Sequence, residues 1–286
     1  MASPIAAVVP TYRPDPADVL ALVDVLTGSG LPVVVADDAS PCTADPVLRD
    51  VADRGVVVVR HARNAGIARS LNAGIRGARE SGAEWLLTVD QDSVLADGYV
   101  ADLAAAIDRA TAVLGDRVGA VAAGRVDDDS GAFGYPIDLV SGVPTTPEVI
   151  QTGTAWRLDA LEAIGGFDES FGIDAVDAAA CVRIRASGRL VVVAPGLSIR
   201  HRVGHARTVR LLGWTVLATG HAPQRRMTMV RNRLRLAPEE FAQSPRHALR
   251  TLRRLAVNVL LAVTVEDDRW AKAKSSAKGL LPPRGR

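Results

Sequence analysis

The 286-residue chain has few cysteines, few aromatic residues and no long apolar segment. Its two cysteines, Cys42 and Cys181, lie far apart and lack the spacing of a metal-binding pair. They exclude a disulfide framework and predict a reduced, cytoplasmic protein. No apolar run reaches the roughly 20 residues that a membrane-spanning helix needs, and the N-terminus lacks a signal-peptide pattern. We therefore expect one large globular domain with an appendage.

Lysine is nearly absent, and the charges are unevenly distributed along the chain. All three lysines (Lys272, Lys274 and Lys278) lie in the last 15 residues. Residues 1–200 contain 16 Arg and Lys against 27 Asp and Glu, a balance of −11, whereas residues 201–286 contain 18 against 5, a balance of +13. The basic third is expected to face an anionic partner such as a membrane surface, a polyphosphate or a nucleic acid.

Short Val/Leu/Ile runs alternate with amphipathic helices over the first half of the chain. Strands are predicted at Ile5–Val9, Pro32–Ala36, Val56–Val59, Trp85–Val89 and Val118–Ala122. Helices are predicted between them, at Asp15–Thr27, Asp45–Asp53, Gly66–Ser81 and Gly98–Val113. This alternation indicates βαβ units and a mostly parallel sheet. Such sheets bind ligands at the carboxyl ends of their strands.

The second half follows a different pattern. Residues 124–147, with three consecutive acids and three prolines, are predicted to be a flexible excursion. Further predicted elements are a strand at Val149–Trp156, helices at Asp159–Ile164 and Val176–Ser187, and a strand at Leu190–Ala194. From about Gln224 onward the chain is Arg-rich and helical.

Polar residues follow four of the predicted strands. They are Thr11-Tyr12-Arg13, Asp37-Asp38-Ala39-Ser40, Arg63-Asn64 and Asp90-Gln91-Asp92. Two carboxylates one residue apart can hold a divalent cation against a diphosphate. Tyr12 could pack on a nucleotide base, and Asp38 could either accept from a pyrimidine N–H or cap a helix. Gly66 opens a helix whose N-terminus favours phosphate. No G-x-G-x-x-G follows the first strand, which counts against a dinucleotide enzyme.

Several features of the second half have both a functional and a structural interpretation. The acids around Asp174 and Asp177 could include a general base or could complement a helix dipole. His201 could be a metal ligand beside carboxylates. The arginines near residues 225–233 suit a diphosphate or phospholipid, or they form a solvated face. The apolar stretch Leu255–Val265 could be a core helix, a dimer face or an interfacial helix.

Taken in order, these motifs resemble the family 2 glycosyltransferases of the GT-A fold, and Asp90-Gln91-Asp92-Ser93 resembles the bacterial rhamnosyltransferase group. The resemblance covers roughly residues 4–240. Besides the motifs above, it includes Gly165-Gly166-Phe167-Asp168, His201-Arg202-Val203-Gly204 and Arg231-Asn232. It implies a Rossmann-like α/β domain at residues 1–222, with a nucleotide-sugar half at 1–123 and an acceptor half at 148–222. A basic helical extension, 223–286, would bind the membrane or a second copy.

The resemblance also implies roles for individual residues. Asp177 would be the general base, and Asp92, Asp90 and His201 would hold Mn²⁺ or Mg²⁺. The nucleotide sugar would contact Pro10, Thr11, Tyr12, Asp37, Asp38, Asn64, Gly66, Asn72 and Asp90. The acceptor or its diphosphate would contact Asp174, Arg225, Arg226 and Arg231.

The implied reaction is an inverting sugar transfer by in-line displacement. The expected donor is dTDP-rhamnose, with UDP-galactofuranose or UDP-glucose as alternatives. The expected acceptor is a polyprenyl-diphosphate-linked or cell-surface glycan at the inner face of the cytoplasmic membrane. A homo-oligomer is possible, and no nucleic-acid partner is expected because the basic tail lacks a recognisable binding motif.

Two departures from the family pattern fall on the acceptor side. Ala179 replaces an acid that often follows the base by two residues, and Met227-Thr228 replaces an aromatic pair. Ala179 leaves open a degenerate protein that binds sugar nucleotides without catalysis. A nucleotidyltransferase is the other alternative, although Thr11-Tyr12-Arg13-Pro14 lacks the Gly-rich basic loop expected after its first strand.

Overall fold

The computed structural model describes residues 3–128, 131–201, 207–211, 214–218 and 220–281. The chain forms two compact units. The first comprises residues 1–127, 132–172 and 176–201, and the second comprises 128–131, 173–175 and 202–286. Residues 202–204, which contribute to the family resemblance, lie outside the described residues. The domain bounds predicted from the sequence stay predictions.

One mixed sheet forms the centre of the first unit. Its strands are β1 (Ile5–Thr11), β2 (Val33–Asp37), β3 (Val57–Arg60), β4 (Trp85–Thr88), β5 (Ser93–Leu95), β6 (Val118–Asp128), β7 (Gly131–Gly134), β8 (Asp138–Val140), β9 (Val143–Thr145), β10 (Thr154–Arg157) and β11 (Leu190–His201). Its helices are α1 (Pro16–Gly28), α2 (Asp45–Ala52), α3 (Ile67–Glu80), α4 (Tyr99–Leu114), α5 (Leu158–Ala163) and α6 (Val176–Ala186).

The strand order is β3-β2-β1-β4-β10-β6-β11-β9-β8, with β5 added to β11 and β7 added to β6. The first four strands are parallel neighbours, as the alternating pattern predicts. Strand β10 then lies antiparallel between β4 and β6. The α/β fold with flanking helices is confirmed, and its sheet is mixed beyond β4. Because β1, β2, β3 and β4 run in one direction, their polar carboxyl ends meet at one edge.

Local sequence explains how the helices begin and how closely they pack. Asp15 caps α1 by accepting from the backbone N–H groups of Ala17 and Asp18, and Pro16 occupies the first helical position. Helix α3 lies directly on β1 at Gly74, where an added Cβ would stand 2.4 Å from the Val8 Cβ. A glycine at this position therefore lets α3, and the polar loop before it, approach the strand ends.

The secondary-structure prediction is wrong for the excursion at residues 124–147, and the strand predicted at Val149–Trp156 is limited to Thr154–Arg157. Strand β6 continues to Asp128, and β7, β8 and β9 follow among the described residues. Strand β11 also continues past Ala194 to His201, after an irregularity in its pairing with β6 between Ala194 and Ser198. Strands β7 and β8 pair with their neighbours in sequence, β6 and β9. Strands β6 and β9 in turn pair with β11, far away in sequence, which a local pattern of acids and prolines does not reveal.

The second unit is mainly helical. It contains β12 (Arg207–Leu211), β13 (Trp214–Ala218), α7 (Pro223–Gln243), α8 (Pro245–Thr264) and α9 (Arg269–Gly279). Strands β12 and β13 form an antiparallel pair, and the three helices pack on one another. In the described part of the chain, every helix is too short or too polar to cross a bilayer.

Candidate active site

The buried carboxylate of Asp37 stabilises the end of β2. This residue is fully buried, and its carboxylate accepts from the Ser40 backbone N–H at 3.0 Å and from the Thr11 hydroxyl at 3.4 Å. The Arg60 guanidinium lies 3.3 Å away. Asp37 thus fixes the loop after β2 and balances a cation from β3. Pro10, also predicted to be in the site, is buried within β1 opposite Ala36.

Asp38 connects the end of β2 to the start of α3. Its two carboxylate oxygens accept from the backbone N–H groups of Ala65 and Gly66, each at 2.8 Å. The Asn64 amide donates to the Asp38 carbonyl at 3.2 Å. Because each carboxylate oxygen has a second lone pair, this arrangement still allows Asp38 to accept from a ligand. The three predicted residues Asp38, Asn64 and Gly66 therefore form one connected group.

Gly66 lies where another residue does not fit. Its φ is +94°, and an added Cβ would stand 2.3 Å from the Gly172 carbonyl oxygen. We expect Gly66→Ala to lower the free energy of unfolding by about 2–4 kcal/mol, since overpacking and backbone strain add. Chemical denaturation measures the loss. Gly28→Ala is the matched control, because nothing lies within 4 Å of its added Cβ, and equal losses in the two variants would contradict the expectation.

Tyr12 presents an exposed ring at the end of β1, with 42% of the residue accessible. The side chain of Gln91 makes two hydrogen bonds to the backbone of Tyr12. The Tyr12 N–H donates to Gln91 Oε1 at 2.9 Å, and Gln91 Nε2 donates to the Tyr12 carbonyl at 3.2 Å. The Arg13 guanidinium lies 5.2 Å from the ring centroid. Sequence reasoning missed Gln91 as a functional residue, although its place between two aspartates was a visible signal.

Asp90, Asp92 and His201 come together at the end of β4. Strand β5 pairs with β11 so that Ser93 stands opposite His201. The His201 Nε2 lies 3.5 Å from Asp90 Oδ2, and its Nδ1 lies 3.5 Å from Asp92 Oδ1. The Ser93 hydroxyl is 3.1 Å from the same Nδ1. His201 thus faces two aspartates that precede it by more than 100 positions.

A neighbouring loop supports this group. The Gln151 amide donates to Asp90 Oδ1, and the Asp90 N–H donates to the Thr152 hydroxyl at 3.0 Å. The same hydroxyl lies 2.8 Å from the Ser93 hydroxyl. Gln151 and Thr152 were absent from the sequence prediction because nothing local indicates that their segment returns to β4.

The donor set fits a divalent cation. Carboxylate oxygens suit Mg²⁺ and Mn²⁺, and an imidazole shifts the set towards a transition metal. The two imidazole nitrogens of His201 face different carboxylates. A single cation bound by both carboxylates could therefore be coordinated by only one of these nitrogens. The role of Asp90, Asp92 and His201 as metal ligands stays a prediction, which the chemistry of the three donors supports.

Asn72 has a positioning role in the structure. Its amide donates to the Phe167 carbonyl at 2.9 Å and to Glu169 Oε1 at 3.1 Å. Its Oδ1 accepts from the Phe167 N–H at 2.9 Å. These bonds tie α3 to the turn at Gly165-Gly166. The predicted contact between Asn72 and the nucleotide sugar stays a prediction.

Asp177 is the second residue of α6 and is half-buried. Its carboxylate accepts from the Ala178 N–H at 2.8 Å. Arg183, six residues later, pairs with Asp168 at 3.0 Å. Burial raises the pKa of Asp168, but hydrogen bonds from Ser170 and Arg183 outweigh it and hold that pKa below its usual value. The pair anchors α6 on the preceding turn. The role of Asp177 as general base is untested by these contacts.

The residues predicted to meet the acceptor lie in the second unit. Arg225 Nε is 3.1 Å from Asp174 Oδ1. Burial raises the pKa of Asp174, against the opposing charges of Arg225 and Arg233. Asp174 has a φ of +65°, and the Asn232 amide donates to its carbonyl at 3.0 Å. Arg231 is half-buried on α7. Contacts of these residues with an acceptor remain predictions.

Arg226 does not fit its predicted role at the acceptor diphosphate. The residue is only 2% exposed, and its Nη2 donates to Glu266 Oε1 at 2.6 Å. The Lys272 ammonium donates to the other oxygen of Glu266 at 2.9 Å. Removing Arg226 from this group would leave a buried carboxylate less well compensated. The charge of Arg226 therefore compensates the buried carboxylate of Glu266 inside the helical unit.

Comparisons with known proteins show the family to which the chain belongs. The profile described as "Glycosyl transferase family 2" matches residues 7–165. The chain is 30% identical over 246 residues to the dTDP-rhamnosyl transferase RfbF of Shigella flexneri, covering 81% of this chain and 79% of that protein.

Solved structures share the fold at lower identity. S. aureus TarS 1–349 in complex with UDP-GlcNAc matches with a TM-score of 0.60 and 14% identity, over 95% of this chain and 79% of that one. GalNAc-T7, solved with UDP, GalNAc and Mn²⁺, matches with a TM-score of 0.59 and 15% identity, over 81% of this chain. The chain spans about half the length of GalNAc-T7 (47%) and of the longer TarS structure (49%). Together the profile and the relative from Shigella place this chain in glycosyltransferase family 2.

Proposed function

We propose that this glycosyltransferase transfers L-rhamnose from dTDP-rhamnose, with inversion, to a lipid-linked or cell-surface glycan. The observation that carries the proposal is the convergence of Asp90, Asp92 and His201 beside the clamped backbone of Tyr12. A cation site next to a base site suits a sugar donor with a diphosphate, and the ends of β1, β2 and β4 would supply both sets of groups. The dTDP-rhamnosyl relative supports the choice of donor.

The base of the donor is assigned to the ends of β1 and β2. A pyrimidine ring can pack on the exposed face of Tyr12. The Asp38 carboxylate, held rigid by two backbone N–H groups, keeps lone pairs for the ring N–H. Carboxylates accept strongly from such donors, and a fixed acceptor loses little entropy on binding.

The reaction is a single displacement at the anomeric carbon. The Asp177 carboxylate takes the proton of the acceptor hydroxyl, whose oxygen forms a new bond to that carbon. The bond from the carbon to the diphosphate oxygen breaks on the opposite face, and dTDP leaves with the bonding electrons. Asp90, Asp92 and His201 would hold a divalent cation, which would neutralise charge on the departing diphosphate. The supporting loop of Gln151 and Thr152 keeps Asp90 in place for this task.

Release of dTDP from dTDP-rhamnose tests the donor assignment. Purified protein is incubated with Mn²⁺, a bacterial lipid-linked glycan fraction and either dTDP-rhamnose, UDP-galactofuranose or UDP-glucose. Rhamnose transfer with an inverted anomeric signal in the product NMR spectrum is the expected result. Faster turnover of either UDP-sugar would move the assignment to that donor. Binding of dTDP without transfer from any donor would favour a non-catalytic binder.

We further propose that α8 and α9 attach the protein to the inner face of the cytoplasmic membrane. Arg250, Arg253 and Arg254 are exposed at helical spacing on α8. Leu260 is 55% exposed near the end of that helix, and Trp270 is 83% exposed at the start of α9. A short turn joins the two helices. Arginines beside exposed apolar and indole side chains suit an anionic bilayer surface. A homo-oligomer through the same helices stays an alternative.

Changing Arg250, Arg253 and Arg254 together to Gln should weaken binding to phosphatidylglycerol vesicles by roughly 30- to 150-fold, because each basic residue near such a surface contributes about 1 kcal/mol. Co-sedimentation measures the partition. The control changes Arg49, Arg109 and Arg117 to Gln, which removes the same charge from exposed positions of the first unit. Equal vesicle binding by the two triple variants would refute the membrane face, and a changed oligomeric state would favour self-association.

A further inference from the structure

An aromatic pair lies on the excursion that follows β6. Aromatic residues make up only 4% of this chain, yet Phe133 in β7 and Tyr135 just after it stand with ring centroids 6.3 Å apart, edge to face. Two positions apart on an extended chain, they share one side of it. Phe133 is 39% exposed, whereas Tyr135 is half-buried behind it. An exposed aromatic ring supported by a second ring is a preformed apolar surface.

Hydrogen bonds link this pair to the proposed cation site. The Tyr135 hydroxyl accepts from the Ile150 N–H at 3.2 Å. The next residue, Gln151, donates to Asp90, and Thr152 accepts from the Asp90 N–H. Tyr135 is thus bonded to the backbone one residue before the loop that supports Asp90.

The same segment also contacts the helix of the proposed base. Cys181 on α6 donates to the Val149 carbonyl, with a distance of 3.9 Å from its sulfur. Asp177 lies one turn earlier on the same helix face. Burial raises the pKa of Tyr135, and the negative charge of Asp177 raises it further. Residues 149–152 therefore link the Tyr135 hydroxyl through hydrogen bonds both to Asp90 and to the helix that carries Asp177.

We propose that Phe133, supported by Tyr135, is a stacking platform for the sugar ring of the acceptor. The inference rests on the proposed function and adds an acceptor class: a glycoside, recognised through a ring face that carries C–H groups. The base of the donor is assigned to Tyr12 and Asp38, at the ends of β1 and β2, whereas Tyr135, which supports Phe133, is linked through Val149 and Ile150 to the helix that carries Asp177. A pyranose places C–H groups over one face and hydroxyls around its rim, so an aromatic ring can cover the face and leave a hydroxyl for Asp177.

Saturation-transfer NMR on the full chain, with dTDP and Mn²⁺ present, tests the platform. The probes are the methyl α- and β-glycosides of rhamnose, glucose, galactose and N-acetylglucosamine. At least one should bind the wild type, with saturation concentrated on protons of one ring face. Phe133→Ala should weaken its binding about 3- to 10-fold. Phe133→Trp should retain the binding, while Phe133→Leu, which keeps an apolar side chain without a ring, should not.

Phe241→Ala is the matched control, since Phe241 is 41% exposed on α7, and it should bind like the wild type. The platform is overturned if no glycoside binds the wild type, or if Phe133→Ala binds as tightly as Phe241→Ala. Titration of dTDP into the same variants separates the two proposals. A Phe133 variant that binds dTDP normally but has lost glycoside binding supports the platform. A wild-type protein that binds glycosides but not dTDP would contradict the donor assignment and leave the platform standing.

Discussion

Replacing Asp177 with Asn is expected to abolish sugar transfer while donor binding stays intact. An amide cannot take the proton from the acceptor hydroxyl, and loss of a general base reduces turnover by about 10²- to 10⁴-fold. The substitution keeps the size of the side chain, and Oδ1 can still accept from the Ala178 N–H. Steady-state rates of transfer, together with calorimetric titration of dTDP, measure both quantities in the same variant.

The control for Asp177→Asn must remove an acid from the start of a helix without touching the site. Asp18 is exposed in the first turn of α1, so Asp18→Asn also removes a favourable interaction with a helix dipole, which contributes about 0.3–1 kcal/mol. Both variants should lose a similar small amount of stability, and only Asp177→Asn should lose turnover. Transfer at the wild-type rate in Asp177→Asn would remove this residue as the base.

The second large effect is expected from Asp92→Asn. A neutral amide is a poorer ligand for a hard cation than a carboxylate, and the cation is expected to contribute several kcal/mol to stabilising charge on the diphosphate. Turnover should therefore fall by at least about 100-fold, and higher Mn²⁺ concentrations should restore part of it. Rates measured over a range of Mn²⁺ concentrations give both the loss and the rescue.

Asp97→Asn provides the comparison for Asp92→Asn. Asp97 is exposed and lies five residues after Asp92 in the chain. The change to Asn therefore removes the same charge from the same region. It should leave both the rate and its dependence on Mn²⁺ unchanged. An Asp92→Asn enzyme with wild-type rate and wild-type metal dependence would show that the Asp90–Asp92–His201 group is not the cation site.

Much of the first half of the fold is predictable because its signals are local. Asp15 and Pro16 specify the start of α1, and Val-rich runs between helices specify parallel strands. The excursion at residues 124–147 was not predictable in this way, since Asp127 and Asp128 suggested a loop, whereas β6 extends to Asp128. Its pairing with β11 connects residues about 70 positions apart, and no local pattern contains that information.

The residues of the candidate site also fall into a group that local sequence predicts and a group that it does not. Strand ends carry Thr11, Asp38 and Asp90, and their convergence follows from a parallel sheet. The supporting residues were missed because each acts across a long loop, as Gln151 does on Asp90. Arg226 misled the prediction for the same reason: its buried counterion, Glu266, lies 40 residues further along the chain. A basic cluster in a sequence does not show which of its members face solvent.

Calorimetric titration of dTDP into the full chain, with and without Mn²⁺, tests the central claim most directly. The site described at the ends of β1, β2 and β4 predicts that dTDP binds, that Mn²⁺ tightens the binding, and that Asp92→Asn removes the effect of the metal. Binding of dTDP with the same affinity in the presence and absence of Mn²⁺, or no binding of either dTDP or UDP with Mn²⁺ present, would contradict it.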